Sequence, residues 1–330
     1  MQHRTDPALS RLSRPLLGLL SLPYKAIAFC QWRLRSLRRQ AFPGMFIISV
    51  DSLSFGGAGK TPLVMAIGKA LEAKGARFAV VSRGYRSRFE KTGIRVERGH
   101  SCRDVGDEAL MLKARFPGQD VFIGRDRRRS IAAAAACGIR ILILDDGFQS
   151  SHIHKDFSIM LVNTGHPYYY LRHFPGLARR DDRVLAFRPA PRAQDAATGY
   201  DFALSGFWDI HDRQVEIGSD PLVAFSALGD NARFAGDMER YRLAAFRGFA
   251  DHHAFTPDDL RGLEALRKEK GAAWLVCTEK DICKVKSFLA PGQLAADLQD
   301  IPLLYARNEI ELPGDVIAGI IEHAAKKGFL

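Results

Sequence analysis

No disulfide framework is written into this chain. Its 330 residues hold five cysteines, Cys30, Cys102, Cys137, Cys277 and Cys283, with no CxxC and no Cys/His cluster at zinc-ligand spacing. That excludes a cystine-stapled secreted module and points to a reducing compartment. A clean run of about 20 apolar residues, the length a membrane-spanning helix needs, is also missing. The apolar stretch at 15–30 (PLLGLLSLPYKAIAFC) is interrupted by Pro23 and Lys25, and no A-x-A cleavage site follows it. There is no internal repeat. Acidic residues are in deficit, 37 against 48 basic, for a net charge of +11. Such a surplus suits nucleic acid, an anionic membrane or a phosphorylated substrate, and by itself does not choose. Bulk disorder is excluded by a hydrophobic content of 47%. The length allows two modest domains.

What is present begins at the amino terminus. The apolar stretch runs into QWRLRSLRRQ, which carries Arg33, Arg35, Arg38 and Arg39 with Trp32 at the junction. A short apolar segment beside a basic cluster describes a helix lying in the headgroup region of a membrane. An amphipathic helix packed on its own domain is the competing reading. Because the arginines cluster beside an apolar anchor, a membrane surface is favoured over nucleic acid as the use of the charge.

From residue 45 the pattern changes. MFIISV (45–50), FAVVS (78–82), IRILIL (139–144) and residues 157–162 read as short buried strands. Between them, residues 61–73, 108–115 and 130–137 read as helices. Strands alternating with helices predict an α/β domain built on a parallel sheet of the P-loop NTPase kind. After a Pro/Ala/Arg-rich stretch at 186–198, residues 222–227, 232–242, 273–277 and 303–306 predict a second, smaller α/β unit. The expected division is 1–40 for the membrane-associated helix, 41–200 for the P-loop domain and 201–330 for the smaller domain.

Four motifs carry chemistry. Ser54-Phe55-Gly56-Gly57-Ala58-Gly59-Lys60-Thr61 lies between a predicted strand and a predicted helix. Small residues let successive N–H groups face a phosphate, the lysine reaches the β- and γ-phosphates, and the threonine hydroxyl binds Mg²⁺. The strict pattern is broken by Ser54 at the first glycine. Asp145-Asp146 follows the strand IRILIL, where P-loop enzymes hold Mg²⁺; turn chemistry alone is the bland alternative. Asp107 precedes a helix, so it reads as an N-cap, or as a carboxylate placed to take a proton from a hydroxyl. Asp251-His252-His253 is open between metal binding, tuning of a base and capping. Thr278-Glu279-Lys280-Asp281 after AAWLVC reads as a solvated loop. His166 to Phe174 mixes aromatics with bases and reads equally as a lipid or sugar contact or as an ordinary surface loop.

In order, SLSFGGAGKTP, VVSRGYRS, VGDEALML, LILDDGFQ, FSALGDNARF, DHHAFTPDDL and TEKDICKVK resemble the successive motifs of the tetraacyldisaccharide 4'-kinases. The resemblance implies transfer of the ATP γ-phosphate to the 4'-hydroxyl of a lipid A disaccharide 1-phosphate. It implies ATP and Mg²⁺ as cofactors, and a place at the cytoplasmic face of the inner membrane of a Gram-negative bacterium. It makes Asp107 the base, assisted by His252, and turns the reading of Asp107 from cap to catalytic residue. Lys60 would hold phosphates; Thr61, Asp145, Asp146 and Glu108 would serve the metal; and Arg83, Tyr85, Gln149 and Arg179 would meet the substrate. Departures from the family pattern are Ser150 for the histidine of DDGFQH, Arg180 in the LREP-like stretch, Ser49-Val50-Asp51 where the family has VGN, and Ala109 after VGDE. They leave a weakly active homologue or pseudokinase as one alternative. A membrane-associated regulatory P-loop ATPase is another, although Phe55 stands where such proteins carry a lysine.

Overall fold

The strand that precedes the glycine-rich loop is buried along its whole length, Phe46 to Ser52. A central parallel strand covered on both faces needs such a run, and FIISVDS supplies it with two small hydroxyls and one carboxyl. The computed structural model describes residues 7–53, 59–148, 150–163, 183–187, 199–286, 298 and 301–330. Along the chain come α1 (Pro7–Ser36), β1 (Phe46–Ser52), α2 (Lys60–Ala73), β2 (Phe78–Ser82), β3 (Ile94–Arg95), α3 (Cys102–Val105), α4 (Asp107–Arg115) and β4 (Asp120–Ile123). Next are α5 (Arg127–Ala136), β5 (Ile141–Asp145), β6 (Phe157–Asn163), β7 (Arg183–Phe187), β8 (Gly199–Asp209), β9 (Gln214–Val215) and β10 (Leu222–Ser226). The remainder is α6 (Asn231–Met238), β11 (Leu243–Gly248), α7 (Pro257–Glu269), β12 (Trp274–Thr278), α8 (Glu279–Lys286), β13 (Leu303–Glu311) and α9 (Gly314–Lys326).

Two compact units result, residues 1–81, 127–201 and 312–330 in one, and 82–126 with 202–311 in the other. The boundary expected near residue 200 falls at 201/202, and the chain also passes between the units at 81/82, 126/127 and 311/312. Helix α4 packs on α8, which draws 82–126 into the second unit, and α9 packs on α2, which returns the carboxyl terminus to the first.

In the first unit β1 pairs in parallel with β5 (Phe46↔Ile141) and with β6 (Ile48↔Phe157). Strand β2 extends the sheet beyond β5, and β7 beyond β6, again in parallel. The register sets Val50 beside Asp145, so the carboxyl ends of β1 and β5 lie together, where open α/β sheets bind ligands. Helix α2 buries Leu63, Val64, Ile67 and Leu71. Phe46 meets His323 and Phe329 of the carboxyl-terminal segment, with ring centroids 5.7 Å apart in each case.

Helix α1 runs through Pro23 for 30 residues. Among the described residues no helix is long and apolar enough to cross a membrane. Ile27, Leu34 and Leu37 on α1 and just after it are 60–69% exposed. The end of the helix is tied to the first unit. Trp32 stacks on Phe148 at 5.8 Å, Ser151 Oγ donates to the Trp32 carbonyl at 2.8 Å, and the Gln40 N–H donates to the His152 carbonyl.

The second unit has the strand order β11-β10-β12-β13-β8. Strands β11, β10, β12 and β13 run parallel, and β9 returns antiparallel to β8. Phe207, Leu222, Ala224, Phe234, Met238, Val276 and Leu304 form part of its core. Helix α7 opens with a capping box, in which Thr256 and Asp259 satisfy each other's backbone N–H.

Candidate active site

Two clusters of candidate residues emerge, one in each unit. In the first, α2 starts from Gly59 at φ 82°, a left-handed conformation that glycine adopts without steric cost. Its first turn carries Lys60 and Thr61, and free helix N–H groups there favour an anion. The Lys60 ammonium lies 3.9 Å from the Asp146 carboxylate. Asp145 ends β5 almost fully buried, and its carbonyl accepts from the Arg127 guanidinium at 3.2 Å. Asp146 turns into the left-handed region at φ 56°, with its N–H donating to the Val50 carbonyl. Gly147 is required by close approach, since a Cβ there would sit 2.5 Å from Ser49 Oγ. The Ser49 hydroxyl donates to Asp51 at 2.6 Å, and the Phe148 N–H donates to the other Asp51 oxygen. Burial pushes the Asp51 carboxyl up to about 6, against the opposing pull of Lys155 and the Ser49 hydrogen bond.

Thr61, Asp145 and Asp146 offer only oxygen donors, which fits a hard cation. Among the described residues no group of three or more His, Cys, Asp or Glu is gathered for a metal. Mg²⁺ commonly uses one or two carboxylates with nucleotide phosphates and water, so two aspartates beside a phosphate loop fit that ion. Ser54, Phe55, Gly56, Gly57, Ala58, Gln149, Arg179, Arg180 and the stretch from His166 to Phe174 lie outside the described residues.

The second cluster is built on the start of α4, the loop after β11 and the first turns of α8. Asp107 is the first residue of α4, and the cap position belongs to Gly106 at φ 89°. The cap position read from sequence is thereby moved to Gly106: Asp107 Oδ1 accepts from the Glu108 N–H at 3.0 Å, and Oδ2 faces the cluster. His252 Nδ1 lies 3.2 Å from Asp107 Oδ2, between residues 145 apart in sequence. An ionised carboxylate only accepts, so the bond requires the proton on Nδ1. Lys280 and Lys284 approach the same oxygen at 3.5 and 3.8 Å. Burial would raise the Asp107 pKa, but the His252 hydrogen bond and the two lysines outweigh it and hold the carboxyl well below its usual range. Reciprocally, Asp107 raises the His252 pKa. His252 itself is left-handed, at φ 59°. Such backbone strain costs about 1–3 kcal/mol and clusters at functional sites.

His253 does something else. It bonds Asp259 at 3.0 Å and stacks on Phe249, so it braces the loop. Asn231 braces the same loop by donating to the Phe249 carbonyl at 2.7 Å. Glu108 belongs to this unit, 3.9 Å from Lys280, so the unit carrying Asp145 and Asp146 does not itself supply it. Arg83 is held by Glu90 at 2.7 Å, and the exposed Tyr85 ring lies between the Arg83 and Arg86 guanidinium groups, 5.3 Å from each.

Lys280, Asp281 and Lys284 are the residues that the sequence reading missed. The expected solvated loop is the buried first turns of α8. Asp281 is fully buried, accepts from the Ala227 N–H and the Thr278 hydroxyl, and pairs with Lys284 at 2.9 Å. Lysines four apart share one helix face, a signal available once TEKDICKVK is read as a helix.

Residues 13–324 match the family model described as Tetraacyldisaccharide-1-P 4'-kinase. A tetraacyldisaccharide 4'-kinase from Nitrobacter winogradskyi is 31% identical over 302 residues, covering 86% of this chain and 87% of that protein. One from Rhodopseudomonas palustris (strain BisB18) is 32% identical over 306 residues, covering 86% and 84%. In fold the chain is similar to the "apo" form of LpxK from Aquifex aeolicus in complex with ATP, with a TM-score of 0.72 and 24% identity over 94% of this chain and 98% of that one. The chain belongs to the tetraacyldisaccharide-1-P 4'-kinase family.

Proposed function

We propose that this chain transfers the γ-phosphoryl group of ATP to the 4'-hydroxyl of tetraacyldisaccharide 1-phosphate, at the cytoplasmic face of the inner membrane of a Gram-negative bacterium. The observation that carries the reading is the Asp107 carboxylate, kept ionised among His252, Lys280 and Lys284. Asp107 accepts the hydroxyl proton while the oxygen bonds to the γ-phosphorus. The bond from that phosphorus to the β,γ-bridging oxygen breaks, and ADP leaves with the electron pair. A carboxylate with a depressed pKa is a weak base, which suits a loose transition state in which the attacking oxygen forms little bond before its proton departs. His252 keeps the carboxylate aimed by donating from Nδ1. Lys60 and the α2 amino terminus would hold the phosphates, and Asp145, Asp146 and Thr61 would hold Mg²⁺, whose charge would offset that of the phosphates. The exposed apolar residues of α1 and Arg33, Arg35, Arg38 and Arg39 support attachment to a membrane surface in which the acylated substrate resides.

A regulatory P-loop ATPase is not favoured, because the family match spans the second unit as well as the phosphate loop. The test is incubation with γ-labelled ATP, Mg²⁺ and tetraacyldisaccharide 1-phosphate in detergent micelles, beside Asp107→Ala. Label should enter the lipid, and fall about 100-fold or more in the variant. ATP bound without transfer by the wild-type chain would overturn the reading.

A further inference from the structure

Two lysines flank the carboxylate of Asp107, and their surroundings differ. Lys284 is 2.9 Å from Asp281, a fully buried carboxylate that the Ala227 N–H and the Thr278 hydroxyl fix in place. Its charge is compensated within the wall of the site, which makes Lys284 a positioning residue. Lys280 lies 3.5 Å from Asp107 and 3.9 Å from Glu108. Both separations exceed the roughly 2.7–2.9 Å of a charge-assisted hydrogen bond. Its ammonium is therefore held by charge, with donors still to give. Its side chain keeps 16% of its surface, against 8% for Lys284.

We propose that Lys280 is a further catalytic residue, binding the nonbridging oxygens of the phosphoryl group in transit to the hydroxyl that Asp107 deprotonates. The proposal rests on the kinase reading above. When the hydroxyl O–H bond breaks, its proton neutralises Asp107, and the oxygen–phosphorus bond forms as the bond to the departing ADP breaks. Lys280 loses the nearer of its two counter-charges, keeping Glu108, in the same step that leaves negative charge on the phosphoryl oxygens. Its attraction to them is thus greater in the transition state than in the resting enzyme, the condition for lowering a barrier.

The experiment compares wild type, Lys280→Met and Lys280→Arg in the lipid phosphorylation assay, with ATP and with ATPγS as donor. Removing one preorganised donor typically costs about 10²–10³ in kcat. Lys280→Met should lose kcat by about 100-fold, with each KM changed less than about threefold, and Lys280→Arg should recover part of the loss. Because Lys280 touches the oxygen that sulfur replaces, the ATP/ATPγS rate ratio should shrink in Lys280→Met. Thermal melting and binding of a fluorescent ATP analogue should match wild type. A Lys280→Met enzyme within fivefold of wild-type kcat, an unchanged thio ratio, or a melting curve shifted enough to account for the loss overturns the proposal while leaving the kinase reading in place. If wild type itself transfers nothing, the kinase reading falls and this proposal with it.

Discussion

At the scale of single residues, ionisable groups sit in environments that decide their charge. Asp51 is buried in β1 next to the glycine-rich stretch, and burial pushes its carboxyl up to about 6 from 3.8. The folded chain thus binds this proton more tightly than the unfolded chain does. Its effect on stability is absent below the unfolded value and turns unfavourable as pH rises through the window from 3.8 to about 6. An asparagine could still accept from the Phe148 N–H without that penalty. We expect Asp51→Asn, without nucleotide or Mg²⁺, to gain on wild type by about 1 kcal/mol more at pH 7.5 than at pH 5, roughly 2–4 °C in thermal midpoint. Equal gains at the two pH values would show that the carboxyl is not shifted. Asp107 lies at the other extreme, its carboxyl held well below the usual range, and its replacement by alanine would leave His252, Lys280 and Lys284 without that counter-charge.

At the scale of elements, α8 depends on one buried carboxylate. Asp281 joins the end of β10 through the Ala227 N–H, the end of β12 through Thr278, and the next turn of its own helix through Lys284. Removing one partner of a buried ion pair leaves the other charge uncompensated, typically at about 3–5 kcal/mol. Asp281→Ala should lose about 3 kcal/mol of unfolding free energy in a denaturant titration; a loss below about 1 kcal/mol would mean that Lys284 reaches water when Asp281 is absent. The legibility of elements follows the same division. The start of α2 and the end of β5 could be placed from sequence because strand, loop and helix are consecutive, and each signal lies within ten residues of its neighbour. Helix α8 could not, because its polar residues are satisfied by β10, a strand distant in the chain. Helix α4 was legible as an element, but its cap was assigned to Asp107, since a glycine with positive φ leaves no mark in hydrophobic periodicity.

At the scale of the molecule, the net charge of +11 and the amino-terminal helix bear on where the protein works. Each basic residue near an anionic surface contributes about 1 kcal/mol, and salt screens it. Flotation with vesicles containing anionic phospholipid should therefore carry the protein upward at low salt. Replacing Arg33, Arg35, Arg38 and Arg39 together with alanine should weaken partitioning by tenfold or more, with a reduced salt dependence. Partitioning that is insensitive to both would assign the attachment to apolar contacts alone.

The sequence by itself determined the parallel α/β architecture, the helix start at Lys60 and Thr61 after a glycine-rich stretch, the paired aspartates at the end of β5, and the family. These are properties of consecutive residues: buried strands, small residues in a turn, and motifs in a fixed order. Only the tertiary structure decided the interleaving of the two units, the 3.2 Å approach of His252 to Asp107, and the place of Lys280 and Lys284 beside that carboxylate. Those relations join residues far apart in the chain, and they exist only once α4 has packed on α8 and the parallel strands β11 and β12 have set the loop of His252 and the start of α8 in place.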